Sequence, residues 1–260
     1  MRRPTPRILI VAGSDSGGGA GIQADIKTVT MLGGHAMTAV TALTAQNTLG
    51  VTGVMPVPVA FVIEQIDAVL SDIGADSVKI GMIGSPDTVH AVADRLESLS
   101  VPIVFDPVMV ATSGSTLADE ATIAAFGRLM SIASVVTPNL PELVALGGEA
   151  AVLAHGCHLV AKGGHAEGPE VVDRLLSPSG PIRELRGKRF ETGDTHGTGC
   201  TLASALATGL GRGFGIEQAF EQAVSFVRIA ILEAPGLGQG NGPLGQQFVT
   251  DFQWGERDND

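Results

Sequence analysis

The feature that most constrains the fold is a regular alternation of short β-type runs with longer helical patterns. Apolar runs that predict buried strands lie at residues 7–13, 77–81, 101–109, 134–139 and 158–164. Amphipathic patterns that predict helices lie at residues 21–34, 61–74 and 85–99. Such alternation is typical of βαβ units, which build a largely parallel sheet with helices on both faces. We therefore predict an α/β protein with three layers.

Two adjacent helical patterns follow in the second half of the chain. Residues 200–213 are almost wholly small and apolar, which predicts a buried helix, and residues 215–234 are more amphipathic. No Pro/Ser-rich linker, composition break or internal repeat divides the sequence. We therefore expect one domain over residues 1–260, with the residues after about 254 frayed.

The composition argues against several classes of partner. With 27 Asp and Glu against 16 Lys and Arg, the formal net charge is −11 at pH 7, so the long-range field repels nucleic acid and anionic membranes. No apolar run approaches the ~20 residues that cross a bilayer. The two cysteines, Cys157 and Cys200, are too few for a disulfide framework and fit a reducing compartment. We expect a cytoplasmic protein that binds neither nucleic acid nor membrane.

A glycine-rich turn, GDTHGTGC at residues 193–200, separates a strand-like segment from the buried helix. Ligands of parallel α/β sheets bind beyond the carboxyl ends of the strands, where such a turn lets several backbone N–H groups face one anion. The dipole of the following helix would add to this attraction, which makes phosphate the natural ligand. The alternative is a tight turn in which Gly197 and Gly199 serve only packing, and this stretch alone does not decide.

Two better-known glycine motifs are absent or incomplete. The chain has no GxxxxGK[ST] and therefore no Walker A loop. The early GSDSGGGAG does not meet the G-x-G-x-x-G spacing with a following ribose-binding acid, which disfavours a dinucleotide-binding dehydrogenase. The run from Gly17 to Gly21 either lets the backbone approach a small ligand or forms a flexible connection.

Two acidic residues and one lysine lie at predicted strand ends: Asp106, Glu142 and Lys162. Mg²⁺ prefers one or two carboxylates together with water and phosphate oxygens, so the acidic pair suits nucleotide chemistry. Each acid has a structural alternative, because Asp106 before Pro107 can shape a turn and Glu142 after Pro141 can be a first-turn helix acid. Lys162 either reaches phosphate or is a solvated loop lysine.

Seven segments resemble one family in order, wording and spacing over almost the entire chain. They are AGSDSGGGAGIQADIKT, TALTAQNTLGV, KIGMIGS, DPVMVATSG, TPNLPE, KGGH and THGTGCTLASALA. The sequence resembles the hydroxymethylpyrimidine and phosphomethylpyrimidine kinases of thiamine biosynthesis, within the ribokinase-like superfamily. The resemblance implies a ribokinase-like α/β/α sandwich with a mostly parallel central sheet, a kinase that uses ATP and Mg²⁺, and a homodimer.

In the family that this sequence resembles, the pyrimidine lies between the first glycine-rich segment and the AQN segment. The resemblance assigns substrate binding to Gly13, Asp25, Gln46, Met82 and Val108. An aminopyrimidine offers a donor amine beside ring acceptors, which the carboxylate of Asp25 and the amide of Gln46 can satisfy. Met82 and Val108 would press on the ring faces. For Gln46 the alternative is a role in a capped turn.

On the nucleotide side, the resemblance assigns Asp106 and Glu142 to Mg²⁺, directly or through water. It assigns Lys162 to catalysis, through neutralisation of phosphate charge. The implied anion hole consists of Gly197, Thr198 and Gly199. Phosphoryl transfer depends mainly on positioning and charge neutralisation, and this set supplies both.

Cys200 stands where many ribokinase-like enzymes carry an aspartate, whereas the pyrimidine kinases carry cysteine. A helix N-terminus lowers the pKa of a thiol, so we expect a partial thiolate. Because a thiolate is a modest base for an alcohol and the transition state is loose, Cys200 should orient the substrate hydroxyl more than remove its proton. The alternative is a small apolar residue that starts a buried helix. Asp194 and His196 receive no role, and Cys157 a structural one.

Two departures from the family pattern are visible. The segment between Glu142 and Lys162 is shorter than usual, which puts the surface beside the nucleotide in doubt. No fused thiamine-phosphate synthase segment is present, so a stand-alone kinase is implied.

The leading hypothesis is a kinase that phosphorylates 4-amino-5-hydroxymethyl-2-methylpyrimidine and then its monophosphate. A pyridoxal or pyridoxine kinase of the same superfamily is the alternative enzyme, because those substrates also carry a hydroxymethyl group on an aromatic nitrogen heterocycle. The alternative of another class is a ligand sensor that keeps the fold without turnover.

Overall fold

The computed structural model describes residues 5–112, 114–166, 168–250 and 252–254. The frayed tail expected after residue 254 lies outside these ranges. The strands are β1 (Arg7–Asp15), β2 (His35–Asn47), β3 (Gly50–Pro56), β4 (Ser77–Ile80), β5 (Ile103–Phe105), β6 (Val135–Val136), β7 (His158–Ala161), β8 (Glu170–Ser177) and β9 (Gly180–Lys188). The α-helices are α1 (Gly21–Met31), α2 (Val59–Asp72), α3 (Pro86–Leu96), α4 (Glu120–Met130), α5 (Leu140–Ala145), α6 (Glu149–Leu153), α7 (Thr198–Gly211) and α8 (Ile216–Leu232).

These strands form one continuous sheet in the order β3-β2-β1-β4-β5-β6-β7-β8-β9. The central strands from β2 to β7 in this order are parallel. At one edge β3 is antiparallel to β2, and at the other edge β8 and β9 continue the sheet in antiparallel pairs. The prediction of an α/β protein with a mostly parallel sheet is confirmed.

Side chains of β1 alternate between two cores, because successive residues of a strand point to opposite faces of the sheet. Leu9 and Val11 join the core beneath α2, α3 and α4. Ile8 and Ile10 join the core beneath α1, α7 and α8. Helices therefore cover both faces, which confirms the three-layer architecture.

Helix α7 is the most deeply buried helix of the second layer, with every residue from 201 to 209 buried. Its small residues allow close packing: a Cβ added to Gly209 would lie 2.9 Å from Ala219 Cβ, and one added to Gly211 would lie 2.8 Å from Ile8 Cδ1. This contact with α8 and β1 explains the small apolar composition of the segment. It also holds the last turn of α7 against α8 and β1.

Two strands are shorter than the sequence predicts. The run 101–109 forms a strand only at Ile103–Phe105, and the run 134–139 only at Val135–Val136. Pro107 and Pro138 follow these strands, and a residue without an N–H cannot continue a central ladder. The chain leaves the sheet there and turns into loops that border the site.

Several elements were not predicted: β2, β3, β8, α4 and α6. For β9 the sequence indicated only a strand-like segment before the glycine-rich turn, and a helix at α5 was only an alternative for Glu142. In β8 and β9 charged residues share the strands with apolar ones, and Arg186 of β9 pairs with Glu170 and Glu184. Such edge strands have no long apolar run to mark them. In the described ranges no helix has both the length and the apolar character of a membrane span.

Candidate active site

One large cavity, about 870 Å³ in volume, opens where the parallel strands β1, β4, β5 and β7 end. Every predicted site residue except Asp25 lines it. Ligands of open α/β sheets bind at this edge because loops and helix N-termini converge there. The location agrees with the expectation for a ligand site at the carboxyl ends of the strands.

An ion-paired centre lies at the ends of β5, β6 and β7. Lys162 Nζ donates to Asp106 Oδ1 at 2.7 Å, and it lies 3.9 Å from Glu142 Oε2. Thr137, directly after β6, donates from its hydroxyl to the same Asp106 oxygen at 2.9 Å. Asp106, Glu142 and Lys162 therefore form a single cluster, although the sequence alone left a structural alternative open for each of them.

Glu142 has both of the roles considered for it. Its Oε2 accepts a hydrogen bond from Asn139 N at 2.8 Å, and its own N–H donates to Asn139 Oδ1 at 2.9 Å. This reciprocal pair is a capping box that starts α5. Burial raises the pKa of Glu142 to about 6, although the attraction of Lys162 opposes the rise. The cap thus holds a perturbed carboxyl group beside the lysine.

Lys162 is not a solvated loop lysine, since only 13% of its side chain is exposed. Burial lowers its pKa, but the attractions of Asp106 and Glu142 outweigh burial and the net shift is upward. Lys162 therefore presents a fixed positive charge to the cavity, which suits a phosphate ligand.

The donor set also fits a divalent cation of the magnesium type. Asp106 and Glu142 offer two carboxylates, and Mg²⁺ commonly takes one or two together with waters and phosphate oxygens. No cluster of three or more His, Cys, Asp or Glu suited to a metal occurs in the described ranges. A Mg²⁺ ion bound here would therefore need ligands from water and from a phosphate substrate in addition to the two protein carboxylates.

The glycine-rich turn forms the N-terminus of α7. Gly197 is the N-cap, with φ of 91°, and a Cβ there would clash with the carbonyl oxygen of Gly19. A Cβ on Gly199 would lie 3.1 Å from Lys162 Nζ. Gly197 therefore serves packing, whereas Gly199 keeps space free between the first turn of α7 and the charged centre. The packing alternative therefore holds for Gly197, and anion binding at this turn stays a prediction.

The loop after β1 is organised by Asp15, a residue that the sequence analysis missed. Its carboxylate accepts hydrogen bonds from the N–H groups of Gly17 at 2.8 Å, Gly19 at 3.0 Å and Ala20 at 2.8 Å. An aspartate directly before a glycine-rich turn is a known side-chain acceptor for such loops, so the signal was present. The run from Gly17 to Gly21 is therefore a loop fixed by hydrogen bonds to Asp15, and not a flexible connection.

His196 is the second missed residue. Its Nε2 lies 3.0 Å from Asp15 Oδ2 and 3.1 Å from Gln46 Nε2. Burial alone would raise the pKa of Asp15, but the bonds from His196 and from the backbone of Ala20 and Gly17 outweigh it and lower the pKa. The imidazole thus links the loop after β1 and the AQN segment to the glycine-rich turn at residues 193–200, named the anion loop for the phosphate expected there.

The predicted pyrimidine end of the cavity contains Gly13, Gln46, Met82 and Val108. A Cβ on Gly13 would lie 2.9 Å from Met82 Sδ, so the absence of a side chain at Gly13 leaves room for the Met82 side chain. The turn after Gln46 is capped by Asn47, whose Oδ1 accepts from two backbone N–H groups. The capped-turn alternative therefore belongs to Asn47, and the amide of Gln46 is turned to His196 and the cavity.

Asp25 is the predicted substrate ligand that the structure does not bring to the cavity. Its carboxylate is 0% exposed and pairs with Lys79 Nζ at 2.8 Å, and Ser204 donates to it at 2.7 Å. All strong partners of Asp25 are already protein groups. A direct contact between Asp25 and an aminopyrimidine does not fit this geometry.

Cys200 lines the cavity in the first turn of α7, but the partial thiolate expected there does not fit the structure. Burial raises the pKa of Cys200 to about 11, although Lys79 opposes the rise. The helix N-terminus is outweighed because the sulfur is largely removed from water. At neutral pH Cys200 is therefore a thiol. Cys157 is buried and donates to Val152 O at 3.4 Å, in keeping with a structural role.

Helix α8, to which the sequence analysis assigned no site residues, forms part of the cavity wall. Val224, Val227 and Ile231 of α8 line it. Their spacing is that of any amphipathic helix, so sequence alone could not separate cavity-facing from core-facing positions. The segment between Glu142 and Lys162 folds as the rest of α5, α6 and β7, and Ala145 of α5 borders the cavity.

The chain is similar in sequence and fold to known proteins. The chain matches the family described as phosphomethylpyrimidine kinase over residues 15–245. It is 45% identical over 263 residues to the hydroxymethylpyrimidine/phosphomethylpyrimidine kinase of Streptomyces coelicolor, covering 94% of this chain and 97% of that protein. It is also 45% identical over 267 residues to the thiamine biosynthesis bifunctional protein ThiED of Geobacter sulfurreducens, covering 96% of this chain.

The extent of the matches differs between relatives. This chain spans 54% of the Geobacter protein and 36% of a multifunctional ThiED relative from Corynebacterium efficiens. Among solved structures, the ADP complex of Bacillus subtilis pyridoxal kinase is similar with a TM-score of 0.86 at 30% identity, over 94% of this chain and 98% of that chain. The chain therefore belongs to the phosphomethylpyrimidine kinase family, on the ribokinase-like α/β fold.

Proposed function

We propose that this protein is an ATP-dependent kinase of thiamine biosynthesis. It phosphorylates 4-amino-5-hydroxymethyl-2-methylpyrimidine and then phosphorylates the monophosphate to the diphosphate. The observation that carries the proposal is that one cavity contains the first turn of α7, the Lys162 centre and the Gln46 end together. The names of relatives from several bacteria agree with this activity.

The nucleotide would lie along the anion loop and α8. Backbone N–H groups at the start of α7, in Thr198 and Gly199, would face the terminal phosphates, and Lys162 would add a positive charge. The apolar face of α8 offers a surface for the adenine ring. Two related pyridoxal kinase structures contain ADP or AMP-PCP, which supports a nucleotide in this fold.

Asp106 and Glu142 would hold Mg²⁺, which when bound offsets negative charge on the terminal phosphates. The Lys162 contact to Asp106 Oδ1 leaves the second carboxylate oxygen toward Gly199, from whose added Cβ it would lie 3.5 Å away. That oxygen is therefore placed on the side where the phosphates would bind.

In the transfer, the substrate hydroxyl oxygen forms a bond to the γ-phosphorus while the bond from that phosphorus to the ADP oxygen breaks. Cys200, as a neutral thiol, would orient the hydroxyl group. The hydroxyl proton leaves late and passes to a phosphoryl oxygen, because a loose transition state needs little early proton transfer. Lys162 and the N–H groups of the anion loop would stabilise the charge on the transferred group.

At the substrate end, the ring would lie between Met82 and Val108, close to Gly13. The amide of Gln46, which lines the cavity, would hydrogen bond the aminopyrimidine. Asp25 is too deeply paired to take part directly, so recognition of the ring amine would fall to Gln46 and to backbone groups.

The test is the mass of the products formed from MgATP and an equimolar mixture of hydroxymethylpyrimidine and pyridoxal. A pyrimidine diphosphate is expected, since the proposal includes both steps. Phosphate on pyridoxal alone would overturn it. A Gln46→Ala variant in the same mixture should lose pyrimidine product while its ATP binding is retained.

A pyridoxal kinase is the second candidate, because a pyridoxal kinase is among the similar structures with a TM-score of 0.86. The competition experiment separates the two enzymes directly. A sensor without turnover would instead show ligand-induced thermal stabilisation and no ADP release. The intact Asp106–Lys162 pair and the free space at Gly199 speak for turnover.

We further propose a homodimer, formed through the β2–β3 arm. Leu43 and Met55 lie opposite each other in this antiparallel pair and are 42% and 58% exposed, and Phe61 of α2 is 54% exposed. Light scattering should give twice the chain mass for the wild type and a monomer for Met55→Lys. The continuous sheet supports a single domain, and the two free thiols fit our proposal of a cytoplasmic location.

A further inference from the structure

His196 is a buried side chain for which the proposed mechanism has no use. It lies directly before Gly197, the N-cap of α7, and 6% of the residue is exposed. The ring packs against Gly19, where a Cβ would clash with His196 Cδ2, and the backbone N–H donates to Gly242 O at 3.0 Å. The imidazole is therefore held in one place in the wall of the cavity.

Asp15 determines which proton the imidazole carries. His196 Nε2 lies 3.0 Å from Asp15 Oδ2, and the same oxygen accepts hydrogen bonds from Gly19 N at 3.0 Å and Ala20 N at 2.8 Å. Burial raises the pKa of Asp15, but the bonds from His196 and from the backbone lower it overall, in keeping with an ionised carboxylate. A nitrogen lone pair facing this charge would be repelled. His196 Nε2 therefore carries a proton and donates it.

The same nitrogen meets the side-chain amide of Gln46. His196 Nε2 and Gln46 Nε2 are 3.1 Å apart, and two donors would oppose each other if the amide nitrogen faced the ring. The oxygen and the nitrogen of an amide are distinguished by their hydrogen-bond partners. The partner here is an N–H, so the amide oxygen of Gln46 faces His196 and shares the Nε2–H with Asp15.

The other end of the amide lies beside Thr44. The Thr44 hydroxyl is 3.0 Å from Gln46 Oε1 and 3.0 Å from Ser14 O. When the amide oxygen faces His196, the NH₂ group takes the position next to Thr44. The hydroxyl can then donate its one proton to Ser14 O, which only accepts, and accept from the NH₂ group. Both ends of the amide are satisfied in this orientation.

This orientation leaves one N–H and one oxygen lone pair of Gln46 for a ligand in the cavity. A 4-aminopyrimidine complements the two groups, since its amine donates to the oxygen and the neighbouring ring nitrogen accepts from the N–H. The 5-hydroxymethyl group is next to the amine, so it lies on the side of His196 and the anion loop. The reversed amide would bind the ring after half a turn, with the 5-hydroxymethyl and 2-methyl groups exchanged.

We propose that His196 is a positioning residue that acts through Gln46. Its Nε2–H, directed by Asp15, holds the amide in the orientation that admits the aminopyrimidine with its hydroxymethyl group toward Cys200. The identity of the ring rests on the proposed kinase function. The order of hydrogen bonds from Asp15 through His196 to Gln46 exists without substrate and can be measured by itself.

The first experiment is magnetic resonance of the isotope-labelled, substrate-free protein. His196→Gln identifies the His196 ring signals by their loss, and Gln46→Ala identifies the side-chain NH₂ signals of Gln46. His196 Nε2 should show a one-bond coupling to a proton, and the Gln46 NH₂ protons should show strong Overhauser contacts to Thr44. An unprotonated His196 Nε2, or strong contacts between the Gln46 NH₂ protons and the His196 Nε2–H, would overturn the proposal.

The second experiment compares two isomeric probes as substrates with MgATP. One is 4-amino-5-hydroxymethyl-2-methylpyrimidine, and the other is 4-amino-2-hydroxymethyl-5-methylpyrimidine, in which the two substituents are exchanged. The wild type should strongly prefer the first isomer. His196→Leu should lower the ratio of the two kcat/KM values at least about tenfold, because the Asp15 carboxylate then attracts the Gln46 NH₂ group and favours the reversed amide.

Two further variants separate positioning from a loss of structure. His196→Gln should keep the ratio within about threefold of the wild type, since its NH₂ group has one proton for Asp15 and one for the oxygen of Gln46. His35→Leu, at the exposed start of β2, is the matched control and should leave the ratio unchanged. A merely structural role would lower both kcat/KM values equally and leave the ratio as it is.

His196→Leu removes a partner of Asp15 and can fail to fold, whereas the resonance measurement on the wild type does not depend on it. Equal losses for both isomers in a folded His196→Leu protein would contradict action through Gln46. A ratio in His196→Gln as low as in His196→Leu would do the same. If the wild type transfers phosphate to neither isomer, the proposed function fails, while the resonance result still decides the order of the hydrogen bonds.

Discussion

His196 Nε2 lies 3.0 Å from Asp15 Oδ2, which joins two glycine-rich loops that are 181 residues apart in the sequence. Asp15 holds the loop after β1 through three backbone N–H groups. Gly197, next to His196, packs so closely on Gly19 that a Cβ would clash with it. The substrate end and the anion end of the cavity therefore depend on one buried pair.

Asp15→Asn should destabilise the protein by about 2–3 kcal/mol, because hydrogen bonds to a buried charged acceptor are among the strong ones. The amide has one acceptor oxygen where the carboxylate has two, and its NH₂ group would face backbone donors. Urea unfolding measures the difference. Asp72→Asn changes an exposed carboxylate and should stay within about 0.5 kcal/mol of the wild type. Equal unfolding midpoints for Asp15→Asn and Asp72→Asn would refute the organising role of Asp15.

The same carboxylate predicts a loss of stability in acid. The folded-state pKa of Asp15 lies below its ordinary value of 3.8, because the bonds from His196 and the backbone outweigh burial. A lowered folded-state pKa stabilises the protein above the unfolded-state value, and this contribution is lost as the pH falls through the folded-state value. Below pH 3.8 the wild type should therefore lose stability more steeply than Asp15→Asn. Urea midpoints across that range test the sign, and parallel curves would contradict it.

Glu142 predicts a dependence of the opposite sign. Burial raises its folded-state pKa from 4.5 to about 6 against the attraction of Lys162. The folded protein then holds this proton more tightly than the unfolded chain, and the stability falls as the pH rises from 4.5 through about 6. Activity should rise over the same range, since only the ionised carboxylate is a good ligand for Mg²⁺.

The measurement for Glu142 is kcat/KM for MgATP as a function of pH. Glu142→Gln should remove the step near pH 6 and lower activity, while a glutamine at this position can still complete the capping box with Asn139. A step that persists unchanged in a folded Glu142→Gln protein would assign the titration to another group.

Gly199→Ala should lower kcat/KM for MgATP at least about tenfold, because its Cβ would lie 3.1 Å from Lys162 Nζ and would displace the lysine from the anion loop. Alanine suits the first turn of a helix, so the melting temperature should change little. Gly193→Ala is the matched control in the same loop, since a Cβ there has nothing within 4 Å. Comparable losses in both variants would show that the loop, and not the Lys162 contact, is being disturbed.

Some parts of the site follow from sequence order alone. Asp106 and Lys162 end parallel strands, and the carboxyl ends of such strands meet at one edge of the sheet, so their proximity could be predicted. The pairing of Asp25 with Lys79 could not, because it depends on how α1 packs over β4. A lysine within SVKIG reads like any strand residue, and its complete burial is a tertiary property. The antiparallel arm of β8 and β9 carries charged residues among its apolar ones, so no long apolar run marks it in the sequence.

Cys200 supports a prediction that separates two chemical roles. With a pKa of about 11 the side chain is a neutral thiol at neutral pH, so its task is to orient the substrate hydroxyl. Cys200→Ser keeps a neutral hydrogen-bonding group, and Cys200→Ala removes it. We expect both variants to fold. The kcat should be about tenfold lower for serine and about a hundredfold lower for alanine, and a hundredfold loss is at the low end of what removal of a general base costs. Steady-state rates and thermal melts of the two variants provide the comparison. Undiminished turnover in the serine variant would remove Cys200 from the mechanism, whereas equally large losses in both would indicate that a thiolate acts as the base.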